Sequence, residues 1–279
     1  MRSLLVVGLG EVGSAIYSIA KESEAFSVYG YDIDPSRSVD ALEEVPVPID
    51  YLHFCVPYTS EEAFLKALET YVSKLSPRLV IVHSTVAPGT TRAAWAKLRV
   101  PIAYTPVRGK HPHLKDHILF WTKWVAALPT EALSEAAQHL KELGLRVREY
   151  TGSPETLELA KLVETVYRAL MIAWWQEVHR MARAFGADLS VIAEFVGEVH
   201  EVLRDRPVLY PGVIGGHCLI PNTMILRSKY ASKMLDAILE SNERRQAEID
   251  DPSVKSDIER VKAIAARYLN KDYFGESLP

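Results

Sequence analysis

Residues 4–13 read LLVVGLGEVG. Four apolar residues in a row suit a strand buried on both faces, and Gly8, Gly10 and Gly13 then place G-x-G-x-x-G at the turn into an amphipathic helix. That order sets phosphate oxygens on a helix N-terminus, where backbone N–H groups and the helix dipole favour negative charge. Asp32 follows 19 residues after Gly13, just past the next apolar run, Ser27 to Tyr31. A carboxylate there accepts hydrogen bonds from the ribose hydroxyls of an adenosine and repels a 2′-phosphate. The expected ligand is NAD, held by Gly8, Gly10, Glu11, Val12, Gly13 and Asp32, while Arg37 keeps NADP open.

The same rhythm continues beyond this unit. Short apolar runs at Tyr51 to Cys55, Leu79 to His83, Ile102 to Tyr104, Trp124 to Ala127 and Arg146 to Glu149 alternate with amphipathic stretches at Val12 to Lys21, Glu61 to Ser73, Thr90 to Leu98 and Glu131 to Leu143. Alternation of this kind predicts an α/β fold, a Rossmann-type doubly wound parallel sheet, over residues 1–152. From residue 153 the strand signal stops. Ser153, Pro154 and Gly186 bracket a single helix of about 32 residues, roughly 48 Å long. Apolar residues line two sides of it: Leu157, Val163, Val166, Trp174, Met181 and Phe185 on one, Leu162, Ala169, Ile172 and Trp175 on the other. A helix apolar on two sides needs two covers, so residues 153–279 are expected to form an all-helical domain built on this helix, which also joins two subunits in a homodimer. Further helices are expected at Asp188 to Val202, Met224 to Gln246 and Ser253 to Leu269, with a loose tail at Gly275 to Pro279.

Composition bounds the partners. The chain has 279 residues, 48% apolar and 24% charged, and its 32 basic and 36 acidic residues leave a net charge of −4. Such a surface lacks the basic footprint that nucleic acid demands. Cys55 and Cys218 form no metal-binding or disulfide pattern, which implies no metal and a reducing compartment, the cytoplasm. The uncharged run Val208 to Leu226 reaches membrane length, but its prolines and glycines read as a loop and not as a span. Asn stands only at 222, 242 and 270, and Gln only at 138, 176 and 246, the amide depletion reported for thermophile proteins.

Several clusters carry chemistry. Val56 and Pro57, and Ser84 and Thr85, follow the third and fourth strands at the sheet edge where this fold binds ligands, although Ser84 to Gly89 equally suits a capped turn. Cys218 sits in Gly215-Gly216-His217-Cys218, where the glycines allow a close approach of backbone and the neighbouring His217 favours a thiolate; Cys55 reads as core. Lys161 and Thr165 lie one turn apart on the long helix, either as a solvated face or as groups that steady an oxyanion. Arg108, Lys110, His111, His113, Lys115 and His117 crowd one loop, judged non-helical from Gly109 and Pro112; it is either a solvated loop or, through Arg108, Lys110, His111 and His113, a clamp for an anionic substrate, with Gly216 and His217 as further substrate-binding candidates.

In chain order GLGEVG, YDID, FCVP, HSTVAPGTTR, ELAKLVETVYRALMIAWWQEV and GGHCLIPN resemble the nucleotide-sugar dehydrogenases that oxidise UDP-glucose, GDP-mannose or UDP-N-acetylmannosaminuronate precursors. The resemblance runs from residue 1 to about residue 245, and GGHC behind the lysine-bearing helix is its most specific part. It implies oxidation of a primary alcohol by NAD, with Cys218 as the nucleophile that captures an aldehyde, Lys161 as the oxyanion-stabilising lysine and Thr85 near cofactor and substrate. It also implies a further C-terminal nucleotide-binding domain, for which this chain leaves no room, so the expected form is a shortened one: either the substrate is a smaller, anionic or sugar-derived one, or the missing domain belongs to another chain. Thr165 stands where the family has Asn, Asn222 where it has Asp, and Val107 where it has Glu, which removes groups that manage proton transfer. Two other readings remain: a β-hydroxyacid or 6-phosphogluconate type of dehydrogenase using Lys161 alone, and a non-catalytic NAD-binding sensor or partner subunit.

Overall fold

The structure, a computed structural model, describes residues 1–268 and divides into two compact units, Met1–Lys161 and Leu162 onward. Leu269 and the expected tail at 275–279 lie outside the described residues.

In the first unit seven strands form one sheet: β1 (Arg2–Val7), β2 (Phe26–Tyr31), β3 (Tyr51–Phe54), β4 (Leu79–Val82), β5 (Ile102–Tyr104), β6 (Lys123–Leu128) and β7 (Val147–Glu149), in the order β2-β1-β3-β4-β5-β6-β7. The helices α1 (Glu11–Glu22), α2 (Glu61–Leu75), α3 (Thr90–Leu98), α4 (Leu114–Phe120) and α5 (Leu133–Glu142) connect them. The run Leu4 to Val7 shows why an unbroken apolar stretch makes a strand. Leu4 and Val6 pack with Ile16 and Ile19 of α1 and Leu140 of α5, whereas Leu5 and Val7 pack with Phe64 and Leu68 of α2 and Ala94 of α3. Each face of the strand has its own core, and alternation of side chains feeds both.

Two expectations for this unit need correction. The sheet is parallel except where β6 runs antiparallel to β5, with Tyr104 opposite Ala126. The chain between them turns back at the edge where β5 ends instead of crossing the sheet. That return contains α4, so the segment judged non-helical is helical from Leu114; Gly109 and Pro112 merely precede it, and Leu114, His117 and Ile118 bury one helical face.

The second unit holds the greater part of α6 (Pro154–Phe185), with α7 (Leu189–Leu203), α8 (Leu219–Lys229), α9 (Lys233–Glu248) and α10 (Pro252–Ala266). α6 is its spine: Trp175 and Ala182 pack with α7 and α10 through Leu189, Ala193, Val261 and Ile264, and Val166, Ala169 and Ala173 pack with Leu235 and Ile238 of α9. Gly186, at φ +64°, ends α6 in the left-handed conformation that suits glycine. Arg245 of α9 is buried and donates to His179 Nδ1 at 3.0 Å and to the Gln176 carbonyl at 3.1 Å. An arginine can only donate, so His179 carries its proton on Nε2 and gives it to Asp257 of α10 at 3.0 Å. The expected helix over Met224 to Gln246 is two helices, because the chain breaks at Tyr230 and Ser232 then caps α9 through Met234 N. The stretch read as a loop up to Leu226 is helical from Leu219, since Pro221 falls in the first turn, where a missing N–H costs little.

Candidate functional site

The fingerprint glycines do three separate jobs. Gly8, at φ +87°, turns the chain out of β1 and donates its N–H to the Tyr31 carbonyl at 2.9 Å. Gly13 lies so close to that turn that a Cβ on it would sit 1.7 Å from the Gly8 carbonyl oxygen. Gly10 caps α1, and a Cβ there would meet nothing within 4 Å, so the open side of the turn lies at the helix N-terminus. This is the division of labour that a pyrophosphate cradle requires: a tight turn, close packing of helix on strand, and backbone open to a ligand. Glu11 begins α1 on the exposed side, and Val12 packs against the core.

Asp32 stands immediately after β2, nearly buried, and its two oxygens accept from Leu9 N at 2.6 Å and Asp34 N at 2.9 Å. The carboxylate is thereby fixed against the glycine turn. Arg37 is exposed and pairs with Asp34 at 3.3 Å. These residues fit a dinucleotide: an open glycine at a helix N-terminus and a fixed acid beside it.

Val56, Pro57, Ser84 and Thr85 gather at the same edge of the sheet. Ser84 is buried and donates to the Val56 carbonyl at 2.7 Å, which ties the ends of β3 and β4 together. The turn that follows is held from α6 by the buried Glu158, whose carboxylate accepts from Gly89 N at 2.6 Å, Thr91 N at 2.8 Å and Thr91 Oγ1 at 2.6 Å. Burial raises the pKa of this carboxyl, against the pull of its donors. Hydrogen bonds to a charged group contribute about 1.5–3 kcal/mol each, so Glu158→Ala is expected to lower stability by at least 3 kcal/mol in urea unfolding. A loss below 1 kcal/mol would show that the turn holds itself.

Lys123, at the start of β6, is a group the sequence did not single out. It is buried, donates to the Thr105 and Pro106 carbonyls at 3.0 and 2.9 Å, and burial lowers its pKa to about 7. The basic loop beside it is largely satisfied internally. Arg108 donates to the Thr122 carbonyl at 2.6 Å and stacks on Trp121, Lys115 pairs with Glu22, and Lys110 N donates to His117 Nδ1 at 3.0 Å. His111 and His113 are the exposed members.

The remaining candidates belong to the second unit, except Lys161, the last residue of the first. Thr165 is buried, one turn beyond Lys161, and its hydroxyl donates to Glu164 at 3.3 Å. Cys218 is exposed at the N-cap of α8, after Gly216 at φ +79° and the exposed His217; it forms no disulfide with Cys55. A thiol at a helix N-terminus has its thiolate favoured by the dipole. Cys55, by contrast, is pushed up to about 12 by burial, in keeping with its reading as core. Asn222 is buried one turn beyond Cys218, and its N–H donates to the Cys218 carbonyl at 2.9 Å.

Two residues missed from sequence anchor this segment. Gln176 donates to the Gly212 carbonyl at 2.7 Å, and Asn242 accepts from Ile214 N at 2.6 Å while donating to the Ile214 carbonyl at 3.3 Å. They hold Gly212 to Ile214 in the core and leave Gly215 to Cys218 exposed. In a chain with so few amides, a buried amide was itself the available signal.

Comparison with known proteins bears on this second group most directly. Residues 155–244 match the UDP-glucose/GDP-mannose dehydrogenase family, central domain. A UDP-N-acetyl-D-mannosamine dehydrogenase of Methanocaldococcus jannaschii is 23% identical to it over 97% of this chain and 70% of the relative. An NDP-N-acetyl-D-galactosaminuronic acid dehydrogenase of Ralstonia nicotianae is 24% identical over 96% of this chain and 73% of the relative. Among solved structures, a UDP-D-ManNAc dehydrogenase from Pyrococcus horikoshii superposes with a TM-score of 0.76 at 21% identity, covering 88% of this chain and 69% of that one. That likeness extends the dehydrogenase fold to the sheet unit as well as to the family's central domain. Among the described residues, no helix is long and apolar enough to cross a membrane, and no cluster of three or more metal-ligating side chains occurs.

Proposed function

We propose that this chain is an NAD-dependent dehydrogenase that oxidises the primary alcohol or aldehyde of a sugar-derived, anionic substrate, in the manner of the nucleotide-sugar dehydrogenases it is similar to. The observation that carries the reading is the glycine turn: Gly13 packed to contact, Gly10 open at the N-terminus of α1, and Asp32 fixed beside them. NAD, when bound, accepts hydride. Gly8, Gly10, Glu11, Val12, Gly13 and Asp32 would hold its adenosine and phosphates, with Val56, Pro57, Ser84 and Thr85 lining the same sheet edge. The fixed carboxylate of Asp32 opposes a 2′-phosphate and so favours NAD over NADP.

Cys218, exposed at the N-cap of α8, is the nucleophile of this reading, and Lys161 steadies the oxygen that gains charge when the thiolate adds to an aldehyde. Thr165 and Asn222 replace ionisable or stronger polar groups of the family, which weakens proton handling around the thiol and leaves a single two-electron oxidation and the full oxidation to an acid as equal alternatives. In the first unit His111 and His113 are exposed and suited to meet the substrate's anionic group, with Arg108 and Lys110 on the same segment; in the second, Gly216 and His217 are exposed next to Cys218.

The first test is a thermal shift with NAD, NADP and their reduced forms, since a ligand that binds only the folded state raises its stability. A shift with NAD or NADH is expected, and none with any of the four would remove the basis of the reading. Cys218→Ser then separates two chemistries. Acid formation from an alcohol is expected to fall by at least 100-fold, the scale of losing an activated nucleophile, whereas simple alcohol oxidation through Lys161 would survive the change.

The same reading includes a homodimer through α6. Val163, Tyr167, Trp174, Met181 and Phe185 lie exposed along that helix, Trp174 at 59% and Phe185 at 84%, which is more apolar surface than a lone helix normally presents to water. Sedimentation should find a dimer at micromolar concentration, and a monomer there would defeat this part.

A further inference from the structure

Three histidines far apart in sequence form one chain through the core of the first unit. His53 on β3, His83 just after β4 and His139 on α5 are all buried. His83 Nε2 lies 2.9 Å from His53 Nδ1, and His53 Nε2 lies 2.7 Å from His139 Nε2. Each contact holds one proton, because one ring nitrogen must donate and the other accept. Burial depresses the pKa of all three, His53 to about 3, so the imidazoles are neutral at pH 7. Three neutral rings carry three N–H groups, and two of these occupy the contacts. The third must sit at one end of the chain. Both ends, His83 Nδ1 and His139 Nδ1, are buried without a hydrogen-bond partner among the described residues.

Two arrangements with the same pair of hydrogen bonds are therefore available. In one, His139 carries its proton on Nδ1 and His83 Nδ1 is bare; in the other, His83 Nδ1 is protonated and His139 Nδ1 is bare. A proton arriving at His83 Nδ1 lets its Nε2 proton pass to His53 Nδ1, the His53 Nε2 proton pass to His139 Nε2, and the His139 Nδ1 proton leave. One proton enters, one departs, and no charge remains on the chain.

We propose that His83, His53 and His139 relay a proton between the edge of the sheet beside Ser84 and Thr85 and the surface of α5. The proposal rests on the dehydrogenase reading above: oxidation of an alcohol releases its hydroxyl proton at that edge as hydride goes to the nicotinamide. Lys123 stands near the His83 end, and beside burial its charge lowers the pKa of His83. At the other end the Tyr51 ring stacks on His139 at 3.7 Å, and Arg2 donates to the Tyr51 hydroxyl at 3.1 Å and pairs with Glu142. Glu142 lies three residues beyond His139 on the same helix and reaches solvent, which makes its carboxylate the group suited to receive the proton. After product leaves, the reverse transfer to solvent at the sheet edge, with a proton taken up again at His139, restores the first arrangement.

The test begins with the intact protein labelled with 15N-histidine at pH 7 and no substrate. Scalar couplings across both N–H···N contacts are expected, with 15N shifts at the two terminal Nδ1 atoms averaged between protonated and bare values. A single static tautomer, or a cationic ring among the three, overturns the relay whatever the protein oxidises. Averaged shifts in a protein that reduces no NAD with any alcohol overturn the dehydrogenase reading instead. In an active protein, His53→Gln keeps a hydrogen-bonding side chain but cannot pass a proton, so kcat should fall about 10-fold or more with the KM for NAD unchanged and the solvent deuterium isotope effect altered. Loss of kcat and KM together, with no change in isotope effect, overturns the relay in favour of a purely structural chain.

Discussion

Lowering the pH from 7 to 5 is expected to remove about 6 kcal/mol from the stability of this protein, through His53, His83 and His139 alone. In the unfolded chain each imidazole titrates near 6.5, whereas burial holds all three well below that in the folded state, His53 at about 3. The folded state thus binds fewer protons than the unfolded state between those lowered values and about 6.5. Stability is full above that value and falls as the pH drops toward the folded pKa. At pH 5 each group lies about 1.5 pH units below its unfolded pKa, which at 1.36 kcal/mol per unit is about 2 kcal/mol. The sum is comparable to the whole stability of many domains. Urea unfolding at pH 7, 6 and 5 measures it, and a change under about 2 kcal/mol over that range would mean that the folded chain accepts protons after all.

Gly13→Ala is the substitution with the largest expected local effect. A Cβ 1.7 Å from the Gly8 carbonyl oxygen cannot be absorbed by a rotamer change, because the obstacle is backbone on the turn itself. α1 must move off β1, and overpacking of this kind costs about 3 kcal/mol or more. The NAD-induced thermal shift should vanish with it. Gly10→Ala is the control: with nothing within 4 Å of the new methyl, stability should stay within about 1 kcal/mol of the parent, while NAD affinity falls because the methyl occupies the open side of the turn. Wild-type melting for Gly13→Ala, or unchanged NAD affinity for Gly10→Ala, would each contradict the assigned roles.

What the sequence revealed and what it hid divide along physical lines. The central strands were legible because a strand covered on both faces must be apolar throughout, as Leu4 to Val7 is, while β7, Val-Arg-Glu at the sheet edge, was legible only from its place in the alternation. The long helix was legible from its periodicity, with Gly186 as its stop. α4 was not, because Gly109 and Pro112 suggested a longer irregular segment than they create. α8 was hidden by Pro221, which breaks a helix interior but not a first turn. The direction of β6 depends on the route taken by the chain between strands, and no apolar run encodes that.

In the candidate site, local patterns carried the glycine turn, Asp32 and Cys218. Groups assembled from distant positions stayed invisible: Lys123 under the Thr105 and Pro106 carbonyls, Glu158 on the Gly89 turn, and the histidines at 53, 83 and 139. Arg108 shows what charge density leaves out. Charge density pointed to a clamp, and it could not tell that the guanidinium is steadied by a carbonyl and an indole of its own chain.

The amide of Asn242 is a clasp that works in both directions. Its oxygen accepts from Ile214 N while its nitrogen donates to the Ile214 carbonyl, and hydrolysis to aspartate would turn that donor into a second acceptor facing an acceptor. The segment leading to Cys218 is thus kept in register by one side chain that must be donor and acceptor at once, a demand that an aspartate of the same size at 242 could not meet.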